Sequence, residues 1–279
     1  MAAASRGGDT QLLTFAKTAM RSIAAALLIS LLLPAAARAE TTQAPCRVKA
    51  DLVRLTYPLS RVALKLASGQ PLTIVAVGSS STAGAGASKP EFNYPNRLQA
   101  ELAAHFPRQK ITVINRGVNG EEIGDMLRRF DTSVIAERPD LVLWQLGTNA
   151  VLRDHPMADR GAGIREGLDK IKRIGADTVL IDPQFAPKVI AKPQAETMVQ
   201  LIGLAAKSES VDLFHRYDVM KDWRNTEKLP FEAFVSPDGL HMNDWSYGCF
   251  AKSLASAIVE AATRPVAAAS IAIPVYDPF

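Results

Sequence analysis

Apolar positions along this chain follow two periods. Short runs rich in β-branched residues read as buried strands: 72–77 (LTIVAV), 110–115 (KITVIN), 139–149 (PDLVLWQLGTN, whose end is a loop), 177–182 (DTVLID) and 211–215 (VDLFH). Between them, apolar residues recur at helical spacing over 94–106, 117–130 (a loop opening a helix), 163–175, 195–208 and the closing segment 245–262. Gly175 is placed to stop the third of these helices. A proline-punctuated loop, 182–193, and a long irregular segment, 224–244, separate the later elements. Strands alternating with helices predict a parallel sheet covered on both faces, within one domain over 72–263.

The ends read differently. Residues 48–69 mix apolar and basic positions around Pro58 and suggest a helical arm, 40–71, packed on the domain. The tail, 264–279, is rich in alanine and proline and predicts no element. Residues 1–39 resemble an export leader: Arg21, an apolar stretch from Ile23 to Leu33, then Ala37-Arg38-Ala39 before Glu40. Met20-Arg21 would open a leader of ordinary length, which nominates Met20 as the true start. The apolar stretch is short for a membrane span, and the cleavage pattern argues against an uncleaved anchor.

Charge follows from the leader. The chain of 279 residues carries a formal net charge of +4. Arg6, Lys17, Arg21 and Arg38 against Asp9 make the leader +3, leaving about +1 for the mature chain. No basic run with interleaved aromatics occurs, so nucleic-acid binding has no support. An exported chain with two cysteines, Cys46 and Cys249, suggests a disulfide between arm and closing helix; two separate buried thiols are the alternative. Only four histidines are present and none clusters with a cysteine, so no metal site is expected.

In a parallel sheet the loops at the carboxyl ends of the strands converge on one crevice. Four segments there carry the parts of a serine ester hydrolase: 78–86, 117–120, 147–149 and 238–241. In that order they resemble the SGNH or GDSL-type hydrolases. Gly78-Ser79-Ser80-Ser81-Thr82-Ala83-Gly84 aligns with the family's Gly-Asp-Ser-x-x-x-Gly block, and Asn115-Arg116-Gly117-Val118-Asn119-Gly120 with its Asn-x-Gly-x-x-Gly block. Gly147-Thr148-Asn149 and Asp238-Gly239-Leu240-His241 match the remaining two.

The resemblance, spanning about 72–262, implies a three-layer α/β/α sandwich with a central parallel sheet of flavodoxin-like architecture. It nominates Ser80 as nucleophile, His241 as base and Asp238 as its orienting carboxylate. The N–H groups of Ser80 and Gly120 and the Asn149 amide would form the oxyanion hole. No metal or organic cofactor is needed. Two positions depart from the pattern: Ser79 and Ala150 stand where the family has aspartates. Neither is a triad position, so activity should survive.

The other candidates weigh less. His105 and His215 read as surface or packing residues, and His155 as a loop residue near the pocket. Trp144, beside Gln145, reads as core, while Trp223, Phe231 and Phe234 are candidates to line a groove. The function expected is an exported esterase, periplasmic or extracellular, acting on O-acyl groups of carbohydrates or on small esters. An O-acyltransferase acting on a glycan with the same triad, and a silent carbohydrate-binding protein, are the alternatives.

Overall fold

The computed structural model describes residues 44–265; the leader (1–39) and nearly all of the tail lie outside the described residues. Five parallel strands form one sheet: β1 Leu72–Gly78, β2 Ile111–Gly117, β3 Leu141–Gln145, β4 Asp177–Ile181 and β5 Asp212–Phe214, in the order β2-β1-β3-β4-β5. Every residue of β3 is buried, and β1 is buried except at Thr73, as expected for strands covered on both faces. This is the flavodoxin-like order, in which the chain reverses direction across the sheet between β1 and β3.

Helices cover both faces. On one, Phe250 of the closing helix Asp244–Thr263 meets the edges of Tyr94, from helix Tyr94–His105, and Phe214 of β5. On the other, Trp144 of β3 is fully buried against Phe130 and donates its indole N–H toward Met126 Sδ. The reading of Trp144 as core is borne out. Helices Arg160–Arg173 and Ala195–Ser208 complete that layer, and Gly175, at φ +68°, follows the first of them as its stop.

The arm contains two short helices, Ala50–Val53 and Ser60–Ala67, on either side of Pro58. It is tied beneath the amino ends of the strands. Asp212, the first residue of β5, accepts from the N–H groups of Thr56 and Tyr57, and Asp177, the first of β4, from that of Val62. Ahead of both helices, the Ala44 carbonyl accepts from the indole N–H of Trp245 and the Arg47 carbonyl from that of Trp223. The expected disulfide is present, joining Cys46 to Cys249 with Cα atoms 5.5 Å apart.

Element boundaries shifted in places. The helix expected within 117–130 begins only at Ile123, where Glu122 and Asp125 form a reciprocal capping box. Helix Arg216–Asn225 was not anticipated, because its polar sequence RYDVMKDWRN hides the apolar positions among charges. Its consequence is a correction. Trp223 and Phe234, expected to line a groove, are core residues, 1% and 0% exposed, stacked edge-on under the arm. Among the described residues no helix is long and apolar enough to cross a membrane.

Candidate active site

The site forms where β1 and β3 part company. Chain leaving β1 passes Ser79 and turns at once into a short helix, Ser80–Ala83, which sets Ser80 at the carboxyl edge of the sheet. From the far end of the sequence, the segment between Val235 and Met242 comes back as a tight turn closed by an antiparallel bridge between those two residues. Within it, the Ser236 N–H donates to the His241 carbonyl and the Gly239 N–H to that of Ser236. Gly86 lets the two loops touch: a Cβ there would lie 2.3 Å from the Met242 carbonyl oxygen. No larger residue fits.

His241 Nε2 lies 2.8 Å from Ser80 Oγ, and His241 Nδ1 lies 2.5 Å from Asp238 Oδ2. Asp238 Oδ1 accepts from Ser236 Oγ at 2.7 Å and from the N–H groups of Leu240 and His241 at 2.9 Å each. Partial burial works against the charged carboxylate, yet the hydrogen bonds from His241, Ser236 and the two backbone N–H groups outweigh it. The Asp238 carboxyl is held well below the usual carboxylate range. With Nδ1–H donated to Asp238, Nε2 is the acceptor facing the serine hydroxyl.

The remaining loops flank Ser80. Asn115 Nδ2 donates to the Thr82 carbonyl, binding the end of β2 to the serine helix. Gly120 sits at φ +79°, with its carbonyl accepting from Arg153 Nη2 at 2.9 Å. Asn149 Nδ2 donates to the Glu121 carbonyl at 2.9 Å, so the two candidate oxyanion loops brace each other. That bond uses one of the two amide hydrogens and leaves the second free to donate. Among the described residues, the N–H groups of Ser80 and Gly120 have no hydrogen-bond acceptor. Donors left open at such a place can serve a developing oxyanion.

Both departures from the family blocks have local explanations. Ser79 is buried, and its N–H and hydroxyl both donate to Gln145 Oε1 at 2.9 Å. Gln145 thereby supplies the fixed acceptor for the residue beside the nucleophile, a partner that sequence reading placed only near a strand end. Ala150 is 2% exposed in the core, where a carboxylate would be desolvated.

The minor candidates fall outside the site. His105 is exposed at a helix end, and His215 immediately precedes helix Arg216–Asn225 without a side-chain bond to its first turn. His155 pairs through Nδ1 with Glu122 Oε1 at 2.9 Å, in a rim cluster with Arg153 and Arg160. Phe231 lines a cleft of about 290 Å³ with Pro187, Val235 and Pro237. Its ring is already engaged by the Arg224 guanidinium, 5.1 Å from the centroid, and by Phe185 at 6.0 Å.

A family model, that of the non-GDSL lipase-like family, matches residues 45–264, arm included. The chain belongs to that family. An arylesterase of Vibrio mimicus is 28% identical over 163 residues, 58% of this chain and 79% of that protein. An acetylxylan esterase of Geobacillus stearothermophilus is 30% identical over 103 residues, 34% of this chain and 46% of that protein. Among solved structures, a two-domain esterase active on acetylated mannans superposes with a TM-score of 0.68 at 19% identity, covering 78% of this chain and 58% of that one. The matched segments thus cover less than two thirds of the acetylxylan esterase in sequence and of the two-domain mannan esterase in structure. At the level of family and fold, the SGNH-type resemblance is borne out, and the chain is placed among hydrolases that act on ester bonds.

Proposed function

We propose that this protein is an exported acyl esterase that removes O-acetyl groups from carbohydrates through Ser80, His241 and Asp238. The observation that carries the reading is the unbroken chain of contacts from Asp238 Oδ2 through His241 to Ser80 Oγ. Ser80 Oγ attacks the acyl carbonyl while His241 Nε2 takes its proton, and His241 then returns that proton to the leaving sugar alkoxide. Water, deprotonated by the same imidazole, releases the acyl group as acetate and restores the Ser80 hydroxyl. The Ser80 and Gly120 N–H groups and the Asn149 amide hold the oxyanion of each tetrahedral intermediate. Asp238 stabilises the transient imidazolium and fixes its tautomer.

The carbohydrate ester follows from the relatives that act on acetylated xylan and mannan. Export is supported by the leader-like sequence and by the Cys46–Cys249 disulfide, which suits an oxidising compartment. The test is a panel of aryl acetates, acetylated xylan and acetylated mannan, followed by acetate release with and without added sugar acceptors. Acetate released at equal rates with and without acceptor supports an esterase. Acyl transfer to the acceptor without acetate release would instead make the protein a transferase, and no turnover of any ester would end the reading.

A further inference from the structure

Beyond β4 the chain leaves the sheet through Asp182 and Gln184, both fully buried. The Gln184 carboxamide touches three loops at once. Its Oε1 accepts from Thr148 Oγ1 at 2.9 Å and Arg216 Nη2 at 3.1 Å, with Ser81 Oγ at 3.5 Å, and its Nε2 donates to the Leu240 carbonyl at 3.2 Å. Ser81 follows Ser80, Thr148 precedes Asn149, and Leu240 precedes His241. Each group of the proposed chemistry therefore has its immediate chain neighbour on one side chain.

The orientation of the amide is dictated by its partners. A guanidinium only donates and a backbone carbonyl only accepts, so reversing the carboxamide would set NH₂ against Arg216 and oxygen against the Leu240 carbonyl. Arg216 is itself fully buried, and its Nε donates to the Asp182 carbonyl at 2.9 Å. Gln184 is thus held from below by a buried guanidinium that is itself anchored to the main chain through Nε.

We propose that Gln184 is a positioning residue, setting the spacing among nucleophile, oxyanion amide and base from beneath the site. The inference rests on the triad reading above. Its physical basis is that, among the described residues, no other side chain bonds all three loops, while a misplacement of about 1 Å at a reacting group costs on the order of 100-fold in rate. A residue acting this way affects turnover of bound substrate more than substrate affinity.

The test compares Gln184→Met, which removes both hydrogen-bonding faces, with Gln184→Glu, which keeps the acceptor for Arg216 and Thr148 and loses the donor to Leu240. Leu168→Ala, a core truncation in helix Arg160–Arg173, serves as a stability control, and Ser80→Ala as a control on the triad. For each, kcat and KM on an aryl acetate are measured per active site titrated with a fluorophosphonate, together with Tm. The expected result is a kcat lower by about 100-fold in Gln184→Met and about 10-fold in Gln184→Glu, with KM within about threefold. Leu168→Ala should lose Tm and keep kcat. Wild-type kcat in the folded Gln184→Glu variant, or a loss confined to Tm or to KM, would overturn the proposal. Labelling that persists in Ser80→Ala is a separate outcome: it would overturn the triad reading on which the proposal stands.

Discussion

His241 Nε2 and Ser80 Oγ meet at 2.8 Å although 161 residues separate them in the chain. The parallel sheet accounts for this. Ser80 stands at the carboxyl end of β1, beside the point where strand order reverses, and the Val235–Met242 bridge delivers His241 to the same edge. Gly86 removes the side chain that would otherwise keep the two loops apart.

Asp238→Asn tests the orienting role without dismantling the turn. The asparagine Oδ1 can still accept from Ser236, Leu240 and His241, while its NH₂ now faces His241 Nδ1 and favours the wrong tautomer. Turnover should fall by roughly 10³–10⁴ with the fold retained and Tm somewhat lowered, measured by aryl acetate kinetics and thermal denaturation. Because the native carboxyl is held below its ordinary range, it remains charged down to below about pH 4, and its contribution to stability is lost only as pH falls further. Titration of Asp238 therefore adds nothing to the pH–rate profile above about pH 4.

The oxyanion donors can be probed separately. Asn149→Ala should lower kcat by about 10²–10³, about 3–4 kcal/mol, and it also frees the Glu121 carbonyl from its amide partner. Gly120→Ala should lower kcat as well, since a non-glycine residue at φ +79° forces the loop to move its N–H. Wild-type kcat in Asn149→Ala would remove the amide from the mechanism.

The parts of this site legible in the sequence were those whose chemistry depends on residue type at fixed spacing. Ser80, Gly120 and Asn149 follow predicted strands, and the family resemblance drew Asp238 and His241, in the irregular segment before the closing helix, to the same edge. What the sequence could not display were the partners beneath them. Gln145, Gln184 and Arg216 act through contacts across elements, and a buried glutamine or arginine has no periodic signature. Helix Arg216–Asn225 escaped for the same reason: its buried face includes Arg216, whose charge breaks the apolar stripe that reveals a helix. Trp223 and Phe234 were then assigned to a groove because the element that turns them inward was missing.

The Cys46–Cys249 bridge closes 203 residues of chain, and such a loop contributes on the order of 5 kcal/mol in a chain-entropy account. Thr56 and Val62 of the arm lie at the amino ends of the strands, whereas the stretch around Cys46 runs beside Trp245, four residues past His241, and is held there also by the Trp245 and Trp223 indole N–H groups. A Cys46→Ser/Cys249→Ser pair should lose much stability, read as Tm or urea midpoint, while kcat below the transition stays near wild type, because the two indole bonds keep the stretch in place in the folded protein. Two free thiols in the denatured, unreduced wild-type protein would show that the bridge does not form in solution.

Asp182 supplies a pH-dependent term of the opposite sign to Asp238. Its carboxyl is fully buried; Oδ1 accepts from the Tyr217 N–H at 2.8 Å, while Oδ2 has no partner and Arg216 bonds the main-chain carbonyl instead. Burial pushes its pKa up to about 8, against the pull of the Tyr217 N–H and the Arg216 charge. An unfolded aspartate titrates near 3.9, so between about pH 4 and 8 the folded protein keeps a proton that the unfolded chain has released. Stability must then fall as pH rises through that window, by up to about 1.4 kcal/mol per unit from this group. Asp182→Asn mimics the protonated carboxyl and removes the term. Urea denaturation from pH 5 to 9 should show a flatter profile for the variant, with its largest gain over wild type above pH 8. If instead Asp182→Asn destabilises the protein equally across that range, the carboxylate is charged in the fold and held by Arg216.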